Sequence, residues 1–151
     1  MISISPLEMI VKTRSNSIKK SIAINEISIL RSGSQAAKLK IIVDDLVRLE
    51  ELVCDGALVS TPAGSTAYNY SAHGPILPID SNILALTAMA AFRPRRWRGA
   101  LLNNNAKITL LSLDNATRPV RAEADFLEFN ELEQDALENT KGDLEFSELD
   151  I

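Results

Sequence analysis

The stretch from Asp55 to Pro78 limits what this chain can fold into more than any other. It opens with Asp55-Gly56, runs through a short apolar segment, Ala57-Leu58-Val59, and then meets Pro62 and Gly64. Gly74-Pro75 closes a small-residue segment, Ser65-Thr66-Ala67-Tyr68-Asn69-Tyr70-Ser71. Together these features predict a strand, a tight turn and the first turns of a helix. Such a turn leaves backbone N–H groups free at the helix start, with Ser and Thr hydroxyls nearby. Its glycines and alanines permit close approach by a flat or anionic ligand.

Around this stretch the chain alternates short apolar runs with turn residues. Leu7–Lys12 and the approach to Ser21 read as a hairpin across Ser15-Asn16-Ser17. Ser21–Ile24 and Ile27–Ile29 share a period of two, which predicts one strand interrupted by Asn25-Glu26. A polar pair inside an apolar strand is either a bulge at an edge or a bend that points an amide and a carboxylate at a ligand. Lys38–Val43 and Leu46–Leu49, joined by Asp44-Asp45, predict a second hairpin after a polar loop over Arg31–Ala37. The glutamates Glu50 and Glu51 also allow an amphipathic helix over Leu46–Cys54, but the short turn before it favours a strand. Ile83–Thr87, Gly99–Leu102, Lys107–Leu113, Val120–Ala124 and Phe126–Phe129 extend the series, with Asn103–Asn105 as a turn. Many short strands with one central helix indicate a mainly β, sandwich-like domain.

Composition narrows the function. A chain of 151 residues is one domain's worth. Its net charge of −4 argues against a general nucleic-acid binder, which would be basic. The acid is concentrated at the end: Arg121 to Ile151 holds eleven Asp or Glu residues against Arg121 and Lys141. We therefore expect a β domain over residues 1–130 and an acidic tail over 131–151, disordered or helical. The lone Cys54 excludes an internal disulfide, reads as a small apolar packer and suits a reducing cytoplasm. No apolar run approaches the roughly 20 residues that span a bilayer, and the first residues lack a signal-peptide pattern, so neither membrane nor export is expected.

The residues of the central stretch say more. Asp55-Gly56 followed by Ser60-Thr61-Pro62-Ala63-Gly64-Ser65-Thr66-Ala67-Tyr68-Asn69 resembles the signature of NAD kinases. Ala23-Ile24-Asn25-Glu26 upstream and Gly74-Pro75-Ile76-Leu77-Pro78 downstream resemble it too. The likeness runs in order and nearly without gaps from about Ala23 to Asp125, and is to the C-terminal part of the bacterial enzymes. The resemblance implies NAD as substrate, ATP or polyphosphate as phosphoryl donor, a divalent metal such as Mg²⁺, and a homo-oligomer. It implies that Asn25 and Glu26 hold the adenosine part of the dinucleotide, since an amide can read an adenine edge and a carboxylate can accept ribose hydroxyl protons. Asp55 corresponds to an acidic residue beside the nucleotide, although Asp before Gly is more commonly a turn former. Ala63, Thr66, Ala67, Tyr68, Asn69, Tyr70 and Ser71 correspond to the lining of the site, although aromatics such as Tyr68 and Tyr70 more often pack than stack on ligands.

One element of the family is missing. The family's presumed base is the aspartate of a Gly-Gly-Asp-Gly loop in an N-terminal domain, and none of Asp44, Asp45, Asp55 or Asp125 sits in that pattern. No catalytic residue and no metal ligand is therefore assigned; the chain is expected to supply NAD-binding walls without kinase activity of its own. A non-catalytic NAD or NADP module is the alternative. A relationship to lipid kinases of similar plan is disfavoured by the Asn-Glu and Ser-Thr-Ala-Tyr matches. Gly64-Ser65-Thr66 lacks the lysine of a phosphate loop, and Ser65, His73 and Asp80 lack a nucleophile elbow. His73, the only histidine, reads as a helix C-terminal residue. Phe92-Arg93-Pro94-Arg95-Arg96-Trp97-Arg98 is the one basic cluster and reads as a surface strand or subunit contact.

Overall fold

The computed structural model describes residues 5–12, 18–125, 127–128 and 143–148. Where apolar residues alternate, the chain forms strands that bury one side. In β1 (Leu7–Lys12), Leu7, Met9 and Val11 are buried while Glu8, Ile10 and Lys12 are less so. The same alternation holds in β4 (Ala37–Val43) and β9 (Ile108–Ser112). The remaining strands are β2 (Ile18–Ala23), β3 (Glu26–Arg31), β5 (Leu46–Cys54), β6 (Gly56–Ser60), β7 (Ile83–Met89), β8 (Gly99–Asn103), β10 (Val120–Ala124), β11 (Leu127–Glu128) and β12 (Asp143–Glu148). Among the described residues the single helix, α1, is the one turn Tyr68–Ser71.

These strands make two six-stranded antiparallel sheets, in the orders β2-β1-β12-β9-β4-β5 and β11-β10-β3-β6-β7-β8. Leu7, Met9, Leu39, Ile41, Ile108 and Leu110 of the first sheet meet Ile27, Ile29, Val59, Leu84 and Leu86 of the second in one core. The architecture is thus mainly β and sandwich-like, as the pattern of short runs predicts. Cys54 is fully buried in this core as a free thiol, and burial pushes it up to about 12. Both predicted hairpins form, the first pairing Leu7 with Ala23 and Lys12 with Ile18. Asp44 and Asp45 turn the second with φ of 51° and 65°, the left-handed pair that a two-residue hairpin needs.

Two expectations change. The interruption at Asn25 is neither a bulge nor a bend within one strand: β2 ends at Ala23 in the first sheet and β3 begins at Glu26 in the second. The polar pair marks the corner where the chain crosses between layers. The acidic tail expected over 131–151 lies outside the described residues at 129–142 and 149–151. Within it, Asp143–Glu148 is a strand rather than a helix, paired with β1 on one side and β9 on the other. Its Asp-Leu-Glu-Phe-Ser-Glu alternation is strand-like, and the ladders of two neighbours outweigh its acidic composition.

The middle of the second sheet is buried on both faces, β6 at every residue and β7 at its central five. One face is the core. The other carries Ser28, Ser60 and Thr87, each at most 2% exposed, and lies beneath the loop after β6. Truncating Ile29, which faces the core, should cost about 2–5 kcal/mol. Truncating Ile22, 56% exposed on β2, should change stability by no more than about 0.5 kcal/mol. Urea unfolding of Ile29→Ala and Ile22→Ala checks this; comparable losses would contradict the assignment of faces.

Candidate functional site

The corner at Asn25 is held from three directions. The Asp125 carboxylate accepts three successive backbone N–H groups: Ile24 at 2.6 Å on Oδ2, then Asn25 at 2.8 Å and Glu26 at 3.0 Å on Oδ1. Asp125 has a left-handed φ of 49°, and its own N–H donates to the Glu26 carbonyl at 3.0 Å. On the carbonyl side, the Thr61 hydroxyl donates to Ile24 O at 2.6 Å, and the Thr61 N–H donates to Asn25 O at 3.0 Å. Gly64 presses against the same peptide, where a Cβ would lie 2.0 Å from Asn25 O. Only glycine permits that approach.

This scaffold leaves two side chains with free capacity. Asn25 is half-buried, and its amide is bonded to none of the described residues. Glu26 is 2% exposed; its Oε1 accepts the Tyr68 N–H at 3.2 Å, and its Oε2 is buried without a partner. Desolvation raises the Glu26 carboxyl to about 7, opposed by the Tyr68 N–H and reinforced by the neighbouring Asp125 carboxylate. A buried carboxylate oxygen left unbonded is costly and rare. Among the described residues, Glu26 Oε2 is the one buried side-chain oxygen or nitrogen without a hydrogen-bond partner.

The loop from Thr61 to Pro78 forms the opposite wall. Ser65, fully buried, ties its two ends, donating to Pro62 O at 2.8 Å and accepting from the Leu77 N–H at 2.9 Å. Asn69 is the internal strut: its amide donates to Ser65 O and Pro75 O, and its Oδ1 accepts from the Thr87 hydroxyl at 2.7 Å. Gly74 packs on that amide, with no space for a Cβ. His73, just past the helix end, takes a left-handed φ of 65°, in keeping with its expected C-terminal position. No side chain caps α1 at Ala67. Of the free N–H groups expected at the helix start, that of Tyr68 is taken by Glu26.

Tyr68 spans the site. Its N–H meets Glu26, while its hydroxyl donates to the Met89 thioether at 3.2 Å. Burial raises its phenol, and the nearby Glu123 carboxylate adds to this. Glu123 itself pairs with Arg121 at 3.0 Å. Asp55 stands at the far end of β6, where its N–H donates to Met89 O at 2.9 Å and its carboxylate pairs with Arg31 at 3.0 Å.

The expected site residues therefore divide. Asn25, Glu26 and Tyr68 meet at the corner, with Ala63 and Ala67 half-buried on the facing loop and Thr66 exposed there. Tyr70 is 60% exposed rather than packed. The exposed Ser71 hydroxyl donates to Tyr68 O within the helix. Asn69 is fully buried with its amide committed to the fold, and Asp55 stands at the opposite end of β6 from the corner, paired with Arg31. Sequence reasoning did not assign Thr61, Glu123, Arg121 or Asp125 to the site. Thr61 lies inside the quoted motif, so its position was available; nothing local marks the other three.

Comparison with known proteins bears on the fold and the family. Residues 24–146 match the family model for the ATP-NAD kinase C-terminal domain. The NAD kinase of Cereibacter sphaeroides is 63% identical over 122 residues, 81% of this chain and 48% of that protein. The NAD kinase of Rickettsia canadensis is 54% identical over 138 residues, 91% of this chain and 54% of that protein. Among solved structures, yeast NADH kinase complexed with NADH superposes with a TM-score of 0.83 at 24% identity, covering 97% of this chain and 40% of that one. An NAD kinase from Archaeoglobus fulgidus in complex with ATP gives 0.70 at 21%, covering 95% and 51%. The chain belongs to the ATP-NAD kinase C-terminal domain family, and it spans about half the length of the curated relatives it matches.

The raised Glu26 carboxyl fixes a pH dependence. The folded chain holds this proton to about 7, whereas the unfolded chain releases it near the ordinary carboxylate value of 4.5. Glu26 thus favours the folded state most below that value, and the advantage is lost as pH rises through about 7. Glu26→Gln should flatten the fall in unfolding free energy between these limits. Urea titrations at several pH values measure it; an unchanged slope would mean that Glu26 does not titrate there.

Proposed function

We propose that this chain is the dinucleotide-holding part of an NAD kinase, which transfers a phosphoryl group from ATP or polyphosphate to the adenosine ribose 2′-hydroxyl of NAD. The observation that carries this reading is the unpartnered, buried Oε2 of Glu26 beside the free amide of Asn25. A ribose hydroxyl donates the hydrogen bond that Oε2 lacks, and an amide can both donate to and accept from an adenine edge. Thr66, Ala67 and Tyr68 form the facing wall, and Tyr70 offers an exposed ring beside it. The contribution is positional: it holds the acceptor hydroxyl in one place, which is much of what phosphoryl transfer requires.

The base that takes the hydroxyl proton belongs, on this reading, to a Gly-Gly-Asp-Gly loop that this sequence does not contain. A divalent metal accompanies the phosphoryl donor in such chemistry and neutralises its charge. Among the described residues no group of three or more His, Cys, Asp or Glu is placed to hold one, so no step is assigned to a metal on this chain. The reading also carries a cytoplasmic location and no nucleic-acid or membrane partner.

Calorimetry with the 151-residue chain should detect NAD binding, and Asn25→Ala with Glu26→Ala should weaken it by about tenfold or more. Affinity should rise with pH through about 7, because the ribose hydroxyl is best accepted by ionised Glu26. The chain alone should form no NADP from NAD and ATP. Binding that survives the double substitution would refute the site, and NADP formation would refute the division of labour.

A homo-oligomer is part of the same proposal, with Phe92–Arg98 as the contact. Phe92 is 61% exposed and Arg93, Arg95, Arg96 and Arg98 are exposed around it. Reversing charge at Arg95 and Arg96 should reduce the particle size in light scattering; an unchanged size would remove this surface from consideration.

A further inference from the structure

The corner that carries Asn25 and Glu26 is not built by its own neighbours in sequence. Ile24 is 53% exposed and its N–H faces away from any ladder partner, since β2 has ended and β3 has not begun. Three successive N–H groups at such a crossing would point in uncontrolled directions without one acceptor to gather them. Asp125 supplies it, two oxygens taking three bonds between 2.6 and 3.0 Å. The reverse bond, from the Asp125 N–H to the Glu26 carbonyl, closes the clamp.

We propose that Asp125 is the positioning residue of this site, whose carboxylate gathers the N–H groups of Ile24, Asn25 and Glu26 and so aims the Asn25 amide and Glu26 Oε2 at the dinucleotide. Its ligand half rests on the NAD reading above. Asp125 touches no substrate in this role; it acts through the backbone of the two residues that do. It also places a second carboxylate beside Glu26, so it sets the charge that Glu26 experiences as well as its geometry. The other charged or titratable groups near Glu26 are Tyr68 from α1 and, beyond it, Glu123 and Arg121 from β10.

The two oxygens make distinct contributions, which gives a graded test. In Asp125→Asn the amide oxygen can keep the Oδ1 bonds to Asn25 and Glu26, while the NH₂ group cannot accept from Ile24. In Asp125→Ala all three acceptor bonds are lost. Amide hydrogen exchange by NMR on the 151-residue chain should show faster exchange at Ile24 alone in Asp125→Asn, and at Ile24, Asn25 and Glu26 in Asp125→Ala. NAD affinity by calorimetry should fall about tenfold or more in Asp125→Ala and by less in Asp125→Asn.

A purely structural clamp would leave the electrostatics of Glu26 alone, so a further readout separates the two. The Glu26 carboxyl, followed by its ¹³C shift, should titrate at lower pH in Asp125→Asn, because a like charge has been removed. Unchanged exchange at the three amides, together with unchanged NAD affinity and Glu26 titration, would overturn the proposal. If the wild-type chain binds no NAD, the dinucleotide reading fails and the ligand half of this proposal with it. The exchange rates then still decide whether Asp125 holds the corner. Should Asp125→Ala not fold, Asp125→Asn alone carries the test through Ile24 exchange and the Glu26 shift.

Discussion

The site depends on a close approach of two backbones. The peptide at Asn25 and the loop that begins at Thr61 come together so tightly that Gly64 has no space for a methyl group. Thr61 then fastens the two strands' ends through both its hydroxyl and its N–H. From that contact the rest follows. It brings α1 over the outer face of the second sheet, lets the Tyr68 N–H reach Glu26, and sets Asn69 down on Thr87. Without it, the polar residues beneath the loop would face water, and β6 would not be buried on both sides.

Much of the fold was legible because a period of two is a strong signal where one face meets a core. Leu7, Met9 and Val11, or Leu39, Ile41 and Val43, announce both strand and inward face. Sheet membership was not legible. The runs on either side of Asn25 share a period of two but are offset by one residue, Ile22 and Ile24 against Ile27 and Ile29, and an interrupted strand and a crossing between layers both produce such an offset. The strand Asp143–Glu148 was obscured for a different reason. Its neighbourhood is so acidic that composition suggested a solvated end, while its pairing partners lie far away in the chain.

The site divided along the same line between local and distant information. The Ser60–Asn69 motif and the Asn25-Glu26 pair can be read directly. Which of their side chains face an opening cannot. Asn69 looks like a ligand-facing amide in the sequence, yet all its bonding groups are taken up inside the loop. Asp125 looks like one acid among many near the chain's end, yet it is what the corner is fastened to. Its partners lie about a hundred residues earlier, a separation across which no spacing rule operates.

The place of β12 has a kinetic consequence. It sits between β1 and β9, with Leu7 opposite Glu148 and Lys12 opposite Asp143. The first sheet therefore cannot close until Asp143–Glu148 has left the ribosome. Before then β1 and β9 offer open edges, and their ladder groups await a strand that has not been made. Pairings of this span are slow to form because the loop entropy is lost before any contact compensates for it. The second sheet needs β12 for none of its pairings and can assemble earlier. During synthesis, the half of the sandwich that bears Glu26 and Tyr68 can be in place while the half that backs it is still open.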